Sequence, residues 1–133
     1  MEKLVHYCWF GGKPLTKLTK KCIKSWKKYL PGYKIIEWNE KNFDIHINKF
    51  CEDAYVNQKW AFVADIARCY VLKEFGGVYF DTDMLVTKNI DDLLEHDFIV
   101  GWESSFYVAA GVMYAKNPHN EIVESLWEYY EKI

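Results

Sequence analysis

Asp81 and Asp83, in the stretch EFGGVYFDTDM from Glu74 to Met84, set two carboxylates one residue apart directly after an apolar run. In extended backbone, residues i and i+2 project to the same side, so the two converge on one point if the chain stays near-extended there. Carboxylates that close repel unless a positive charge sits between them. A hard divalent cation such as Mg²⁺ or Mn²⁺ fits that role, because it accepts one or two protein carboxylates and completes its shell with water and phosphate oxygens. The competing reading of a D-x-D alone is a solvated turn with two surface aspartates. An EF-hand calcium loop is excluded, since Leu85 and Val86 stand where an oxygen ligand and the turn glycine would be needed.

Asp65 and Arg68 are the only charges within AFVADIARCYVL, Ala61 to Leu72. Three apart, they share a helical face, and burying either one unpaired would cost several kcal/mol, on the order of the penalty for any lone buried ion. They form either a plain intrahelical ion pair or the lining of a polar pocket that hydrogen-bonds phosphate or sugar hydroxyls. His6, Tyr7 and Trp9 lie at the end of a first apolar run beside Gly11-Gly12. There an indole can stack on a nucleobase and the glycines permit close backbone approach, with core packing as the alternative for each aromatic. No G-x-G-x-x-G or P-loop signature is present, and no nucleophilic Cys/His or Ser/His/Asp set is recognisable.

The elements that must hold these residues read as an α/β domain. KLVHYCWF (Lys3 to Phe10) is a buried strand ended by glycines, and Thr16 caps a helix through Lys28 in which Leu18, Cys22, Trp26 and Tyr29 recur on one face. The lysines of that helix read as its solvated face. YKIIEW (Tyr33 to Trp38) follows as a second strand, completing a β-α-β unit of a parallel sheet. The segment from Asn39 to Asn57 has no clean period. KWAFVADIARCYVLKEF (Lys59 to Phe75) is apolar nearly all round, as for a helix inserted in a core, and Gly76-Gly77 ends it. Val78 to Phe80 is a short strand carrying the aspartates at its C-terminal end, where ligands bind in α/β sheets. NIDDLLEH is a helical turn, DFIVGWE and YVAAGVMYA are two more strands, and a final helix runs from Asn120 onward.

The 133 residues suit one domain, taken as residues 1–133. With 17 basic and 19 acidic residues mixed along the chain, the net charge of −2 gives no field of one sign for nucleic acid or an anionic membrane. Cys8, Cys22, Cys51 and Cys69 are widely spaced, which suits free thiols in a reducing compartment and not a zinc site. Neither a signal peptide nor a membrane span is legible, so a cytoplasmic location, or a peripheral one at the inner face of the membrane, is expected.

Taken together, VHYCWFGGKPL, CIKSWKKYLPGYKIIEWNE, WAFVADIARCYVLKEFGGVYFDTDM and AAGVMYAKNPHN resemble family 32 of the glycosyltransferases. That group carries a D-x-D sugar-nucleotide region and includes bacterial capsular polysaccharide synthesis proteins and fungal initiating mannosyltransferases. The resemblance rests on three features in order: an H-x-x-W-x-G-G opening, an A-D-I-x-R helix, and a G-G-x-Y-x-D-x-D turn. It implies a GT-A-like domain with a mostly parallel central sheet flanked by helices. Members of the family continue well beyond Ile133, so the usual C-terminal part is expected to be missing here. It also implies glycosyl transfer with retention at the anomeric carbon, helped by Mn²⁺ or Mg²⁺. Carried over by position, Trp9 matches the aromatic stacked on the base, and Asp65 and Arg68 match the pair on donor sugar and phosphate. Asp81 and Asp83 match the metal and diphosphate carboxylates, and Tyr79 an aromatic of the same motif. His6 and Gly11 of the opening complete the expected nucleotide-sugar set. The implied partners are a nucleotide-sugar donor, UDP-linked in preference to GDP-linked, and a saccharide acceptor in surface or capsular polysaccharide synthesis, with self-association as an added expectation. The rival expectation is a non-catalytic nucleotide-binding or assembly subunit that keeps the fold.

Overall fold

In the computed structural model, which describes residues 3–102 and 108–132, the β-branched and aromatic run at the start forms strand β1 (Leu4–Cys8). Helix α1 (Lys17–Tyr29) begins where the Thr16 hydroxyl accepts the Thr19 amide at 3.1 Å, satisfying one orphan donor of the first turn. Its buried seam is Thr19, Cys22, Ile23 and Trp26, whereas Leu18, expected on that seam, is 58% exposed. The helix is rolled toward Thr19 and Ile23 because Trp26, fully buried, packs against Tyr7 and Phe80 of the sheet.

Strand β2 (Lys34–Trp38) follows, then α2 (Lys49–Val56), capped by Asn48 within the segment that showed no clean period. Helix α3 (Trp60–Phe75) is buried through Val63, Ile66, Ala67, Cys69, Val71 and Leu72, as its composition implied. Phe62 and Phe75, at its flank and end, are half-exposed. Gly76 and Gly77, at φ +67° and +100°, turn the chain into β3 (Gly77–Phe80). Neither leaves room for a side chain: a Cβ on Gly76 would come within 3.0 Å of the Ala115 carbonyl, and one on Gly77 within 2.9 Å of Leu4. A 3-10 turn (Asp91–Glu95), β4 (Phe98–Trp102), β5 (Val108–Ala115) and α4 (Glu121–Glu131), capped by Asn120, complete the order. The outer ends expected for the last two strands, Glu103 and Tyr107, lie outside the described residues.

The sheet order is β2-β1-β3-β5-β4. It is mixed, not mostly parallel: β1 pairs parallel with β2 and β3, while β3–β5 and β5–β4 are antiparallel. The parallel pairs are those whose connections carry helices long enough to cross over, whereas only five residues separate β4 from β5, too few for a crossover. One face of the sheet packs on α1 through Val5, Tyr7, Val78 and Phe80, and the other carries α3 covered by α2 and α4. All four cysteines are buried and unpaired. No described helix is long and apolar enough to cross a membrane.

Candidate functional site

From β1 the chain crosses to β2 through α1 on one face, and it returns to β3 through α2 and α3 on the other. The two crossovers diverge above the C-terminal ends of β1 and β3, the switch point at which open α/β sheets bind ligands. A cleft of about 530 Å³ opens there, within the usual size range for small-molecule sites. Trp9, Lys13 and Pro14 form one wall, the first half of α3 the other, and Cys8 and Tyr79 the floor. Asp81, Thr82 and Asp83 close the end.

The charged centre comes from α3 and β3 together. Arg68 is buried and donates to Asp65 at 2.8 Å, while its other terminal nitrogen lies 4.0 Å from Asp81. The guanidinium also covers the Tyr79 ring at 5.4 Å, and its Nε, buried, has no hydrogen-bond acceptor. Burial works against the charge on Arg68, but Asp65, Tyr79, Cys69 and Asp81 outweigh it and hold its pKa above the ordinary value. Asp81 moves up from the usual carboxylate range, chiefly by burial and further by the charges of Asp83 and Asp65, against the pull of Arg68 and Tyr79. Its backbone is fixed by donation to the Gly111 carbonyl at 2.8 Å. A Cβ on Gly111 would lie 3.1 Å from the Asp81 carboxylate, so that glycine keeps the carboxylate's place open. Cys8 on the floor is inert as a nucleophile, since burial pushes its thiol up to about 12.

The extended backbone expected between Asp81 and Asp83 is not what forms. The Met84 amide donates back to the Asp81 carbonyl at 3.1 Å, making a turn, and both aspartates reach the cleft from it. The turn is held from α1: the Trp26 indole donates to the Met84 carbonyl at 2.7 Å, and the Ser25 hydroxyl accepts the Val86 amide at 2.9 Å.

The opening of the chain divides. Trp9 lines the cleft, with its indole N–H donating to the Lys13 carbonyl at 2.7 Å, which folds the following loop beside it. Gly11, at φ +99°, borders the cleft without lining it; a Cβ there would meet the Trp60 ring at 2.8 Å. Its amide donates to Glu40 at 2.7 Å, which also accepts from the Tyr55 hydroxyl. His6 is not brought to the cleft. It is fully buried, bonded through Nε2 to the Gly76 carbonyl at 2.8 Å and through Nδ1 to the Trp38 indole N–H at 3.0 Å.

Trp60 escaped the sequence reading because a uniformly apolar helix has no marked face. The legible signal is W-A-x-x-A-D-x-x-R: Trp60, Ala61, Ala64, Asp65 and Arg68 fall at helical spacing, and all five line the cleft. The two alanines leave the space between the indole and the charged pair.

Among the described residues, no three His, Cys, Asp or Glu side chains gather as a self-sufficient metal cage. The donor set present, the hard oxygens of Asp81 and Asp83 beside open volume, fits a divalent cation that shares its coordination with phosphate oxygens.

A family model described as "Glycosyltransferase sugar-binding region containing DXD motif" matches residues 16–99. The chain is 44% identical over 46 residues to "Glucan organizing enzyme 1" of Cryptococcus neoformans var. grubii, a match covering 35% of this chain and 13% of that protein. Among solved structures it resembles "PaToxG Glycosyltransferase" (TM-score 0.72, 20% identity, 98% of this chain and 60% of that one). It also resembles the apo-form glycosyltransferase GlyE of Streptococcus pneumoniae (TM-score 0.61, 18% identity, all of this chain and 39% of that one). The chain thus spans less than two thirds of each of these proteins.

Proposed function

Because the chain belongs to the family of glycosyltransferase sugar-binding regions containing a DXD motif, we propose that its cleft binds a nucleotide-sugar donor and serves metal-dependent glycosyl transfer to a saccharide acceptor. The observation that carries this is the convergence of Arg68, Asp65, Asp81 and Asp83 on one cleft at the switch point. In transfer, the bond from the anomeric carbon to the diphosphate oxygen breaks and its electron pair leaves with the diphosphate. The acceptor hydroxyl oxygen bonds the same carbon and its proton passes to the departing phosphate oxygen, which suits a retaining outcome. Asp81 and Asp83 would hold Mn²⁺ or Mg²⁺, which would supply Lewis-acid neutralisation of the charge that develops on the diphosphate. Arg68 is placed to share that neutralisation, and Asp65 orients its guanidinium and presents its other oxygen toward the sugar hydroxyls. Trp9 and Trp60, on facing walls, offer flat surfaces for a base, and Tyr79 buttresses Arg68 from beneath.

On this reading residues 1–133 are one donor-binding domain, UDP is preferred to GDP, and the product is a surface or capsular polysaccharide. The test is a thermal-shift titration with UDP and GDP, with and without Mn²⁺, on the native chain and on Asp83→Asn. Saturation at about a hundred times the dissociation constant adds roughly 2.7 kcal/mol, a shift of several degrees. A larger shift with UDP that requires metal and disappears in Asp83→Asn is expected. An equal shift in the variant would remove Asp83 from the metal site, and donor binding without any glycosyl transfer would favour the non-catalytic subunit.

A further inference from the structure

An even mixture of charges along the chain conceals a segregation that folding produces. Lys17, Lys20, Lys21, Lys24, Lys27 and Lys28 are all exposed on α1, so six of the 17 basic residues stand on one helix of 13 residues. At 3.6 residues per turn they fall within an arc of about 120°, opposite the buried seam, along roughly 17 Å of helix. The helix contains no acidic residue, and none of the six lysines enters a salt bridge among the described residues. Their one recorded ring contact is Lys28 over Tyr29 at 5.1 Å. Lysines three and four apart repel, and Lys17 and Lys20 oppose the helix dipole in the first turn. Lys27 and Lys28, in the last turn, complement the helix dipole, but the four lysines before them bring the fold nothing that neutral polar residues would not supply.

We propose that the lysine face of α1 docks the domain on an anionic lipid surface. The face is the convex outer side of a helix, a shape that lies against a surface and does not enclose a ligand. Lysine is a hydrated point charge on a flexible stem, lacking the planar fork with which arginine reads individual phosphates. No aromatic side chain alternates with the lysines in the arc, so the stacking platform of a single-strand nucleic-acid site is absent from it. A row of mobile positive charges along a straight helix matches a plane of anionic headgroups. Lys13, Pro14 and the capping Thr16 line the cleft just ahead of α1, so docking sets the cleft mouth beside the lipid surface. A chain of net charge −2 is repelled by such a surface on average, which makes binding a specific property of this face.

The test is co-sedimentation with vesicles of phosphatidylcholine, alone or mixed with phosphatidylglycerol, at about 0.15 M salt. The native chain, Lys20→Gln/Lys24→Gln/Lys27→Gln and Lys20→Arg/Lys24→Arg/Lys27→Arg are compared. Each lysine near an anionic surface is worth about fivefold in partitioning, so the glutamine triple loses on the order of a hundredfold while the arginine triple keeps its binding. Partitioning also falls steeply with added salt. The glutamine triple is expected to stay folded with a cooperative thermal transition close to the native one, since the repulsion it relieves offsets the loss of Lys27 near the helix C-terminus. Equal binding to neutral vesicles, undiminished binding by the glutamine triple, or tight binding to single-stranded RNA with none to anionic vesicles would each overturn the proposal. No nucleotide or metal enters the assay, so a failed donor site leaves its outcome unchanged.

Discussion

Arg68 shows how much one side chain is asked to do in this cleft. Its guanidinium meets Asp65 at 2.8 Å, approaches Asp81 and lies over Tyr79, and each contact uses a different part of the planar fork. Lysine would keep the charge and lose that geometry. Arg68→Lys is therefore expected to cost about 1–3 kcal/mol in urea unfolding, since Asp65 loses its directed partner, and to weaken nucleotide-diphosphate binding by about tenfold in calorimetry. An unchanged affinity would remove Arg68 from the phosphate site. His6 carries a different residue-scale consequence. Its Nε2–H donates to the Gly76 carbonyl and its Nδ1 accepts from Trp38, a pairing that only the neutral ring can make. Burial accordingly lowers its pKa from 6.5 to about 4, against the smaller upward pull of the Gly76 carbonyl. Between those values the unfolded chain binds the proton and the folded chain refuses it. The His6 contribution is whole above pH 6.5 and is lost as the pH falls toward 4, about 2 kcal/mol of it by pH 5. Urea midpoints at pH 7 and pH 5 check this, and His6→Asn should flatten that part of the profile.

At the scale of elements, α1 acts on the site without entering it. The Trp26 indole reaches across the sheet face to the Met84 carbonyl, and Ser25 takes the Val86 amide, so the turn bearing Asp83 is tied to a helix whose own seam is buried. Trp26→Phe removes one hydrogen bond from a buried donor position and a little volume. It is expected to cost about 1–2 kcal/mol in stability and to raise the metal concentration needed for nucleotide binding, as read by calorimetry. Equal metal dependence in the variant would mean that the turn holds its shape alone. Such long-range ties are also what the sequence left unread. The cap at Thr16, the helix over Lys59–Phe75, the final helix from Asn120 and the short strand before Asp81 were legible because their signals are local. The structure does not bring His6 to the cleft that Trp9 lines, because His6 sits two residues below Cys8 on the same face of β1, buried under Trp38. The turn at Asp81–Met84 was missed because its holding groups, Ser25 and Trp26, lie some sixty residues earlier. Both β4 and β5 were read as strands, but their antiparallel direction was not, because direction and order are decided by pairing across the sheet, which no single run of residues encodes.

For the molecule as a whole, the cleft belongs to both cores. One wall grows from the strand and loop that lead into α1, the other from α3 on the opposite face of the sheet, and a ligand between them bridges two separately packed halves. Donor and metal together should therefore slow amide exchange in the 9–16 loop, the first turns of α3 and the 81–86 turn, with β4 unchanged. Protection confined to one wall would mean that the ligand does not span the cleft. Helix α3, on one face, joins β3 of the sheet at Gly76-Gly77, where neither backbone has space for a side chain. That joint works as a gauge block of fixed length. Arg68 on one arm and Asp81 on the other are set 4.0 Å apart by a spacing of chain that allows no slack. One residue added at the joint would put the arms out of phase, turning the guanidinium away from the carboxylates while every helix and strand survived. Length variation among chains built this way should therefore collect in the exposed stretch at 87–89 and avoid the joint.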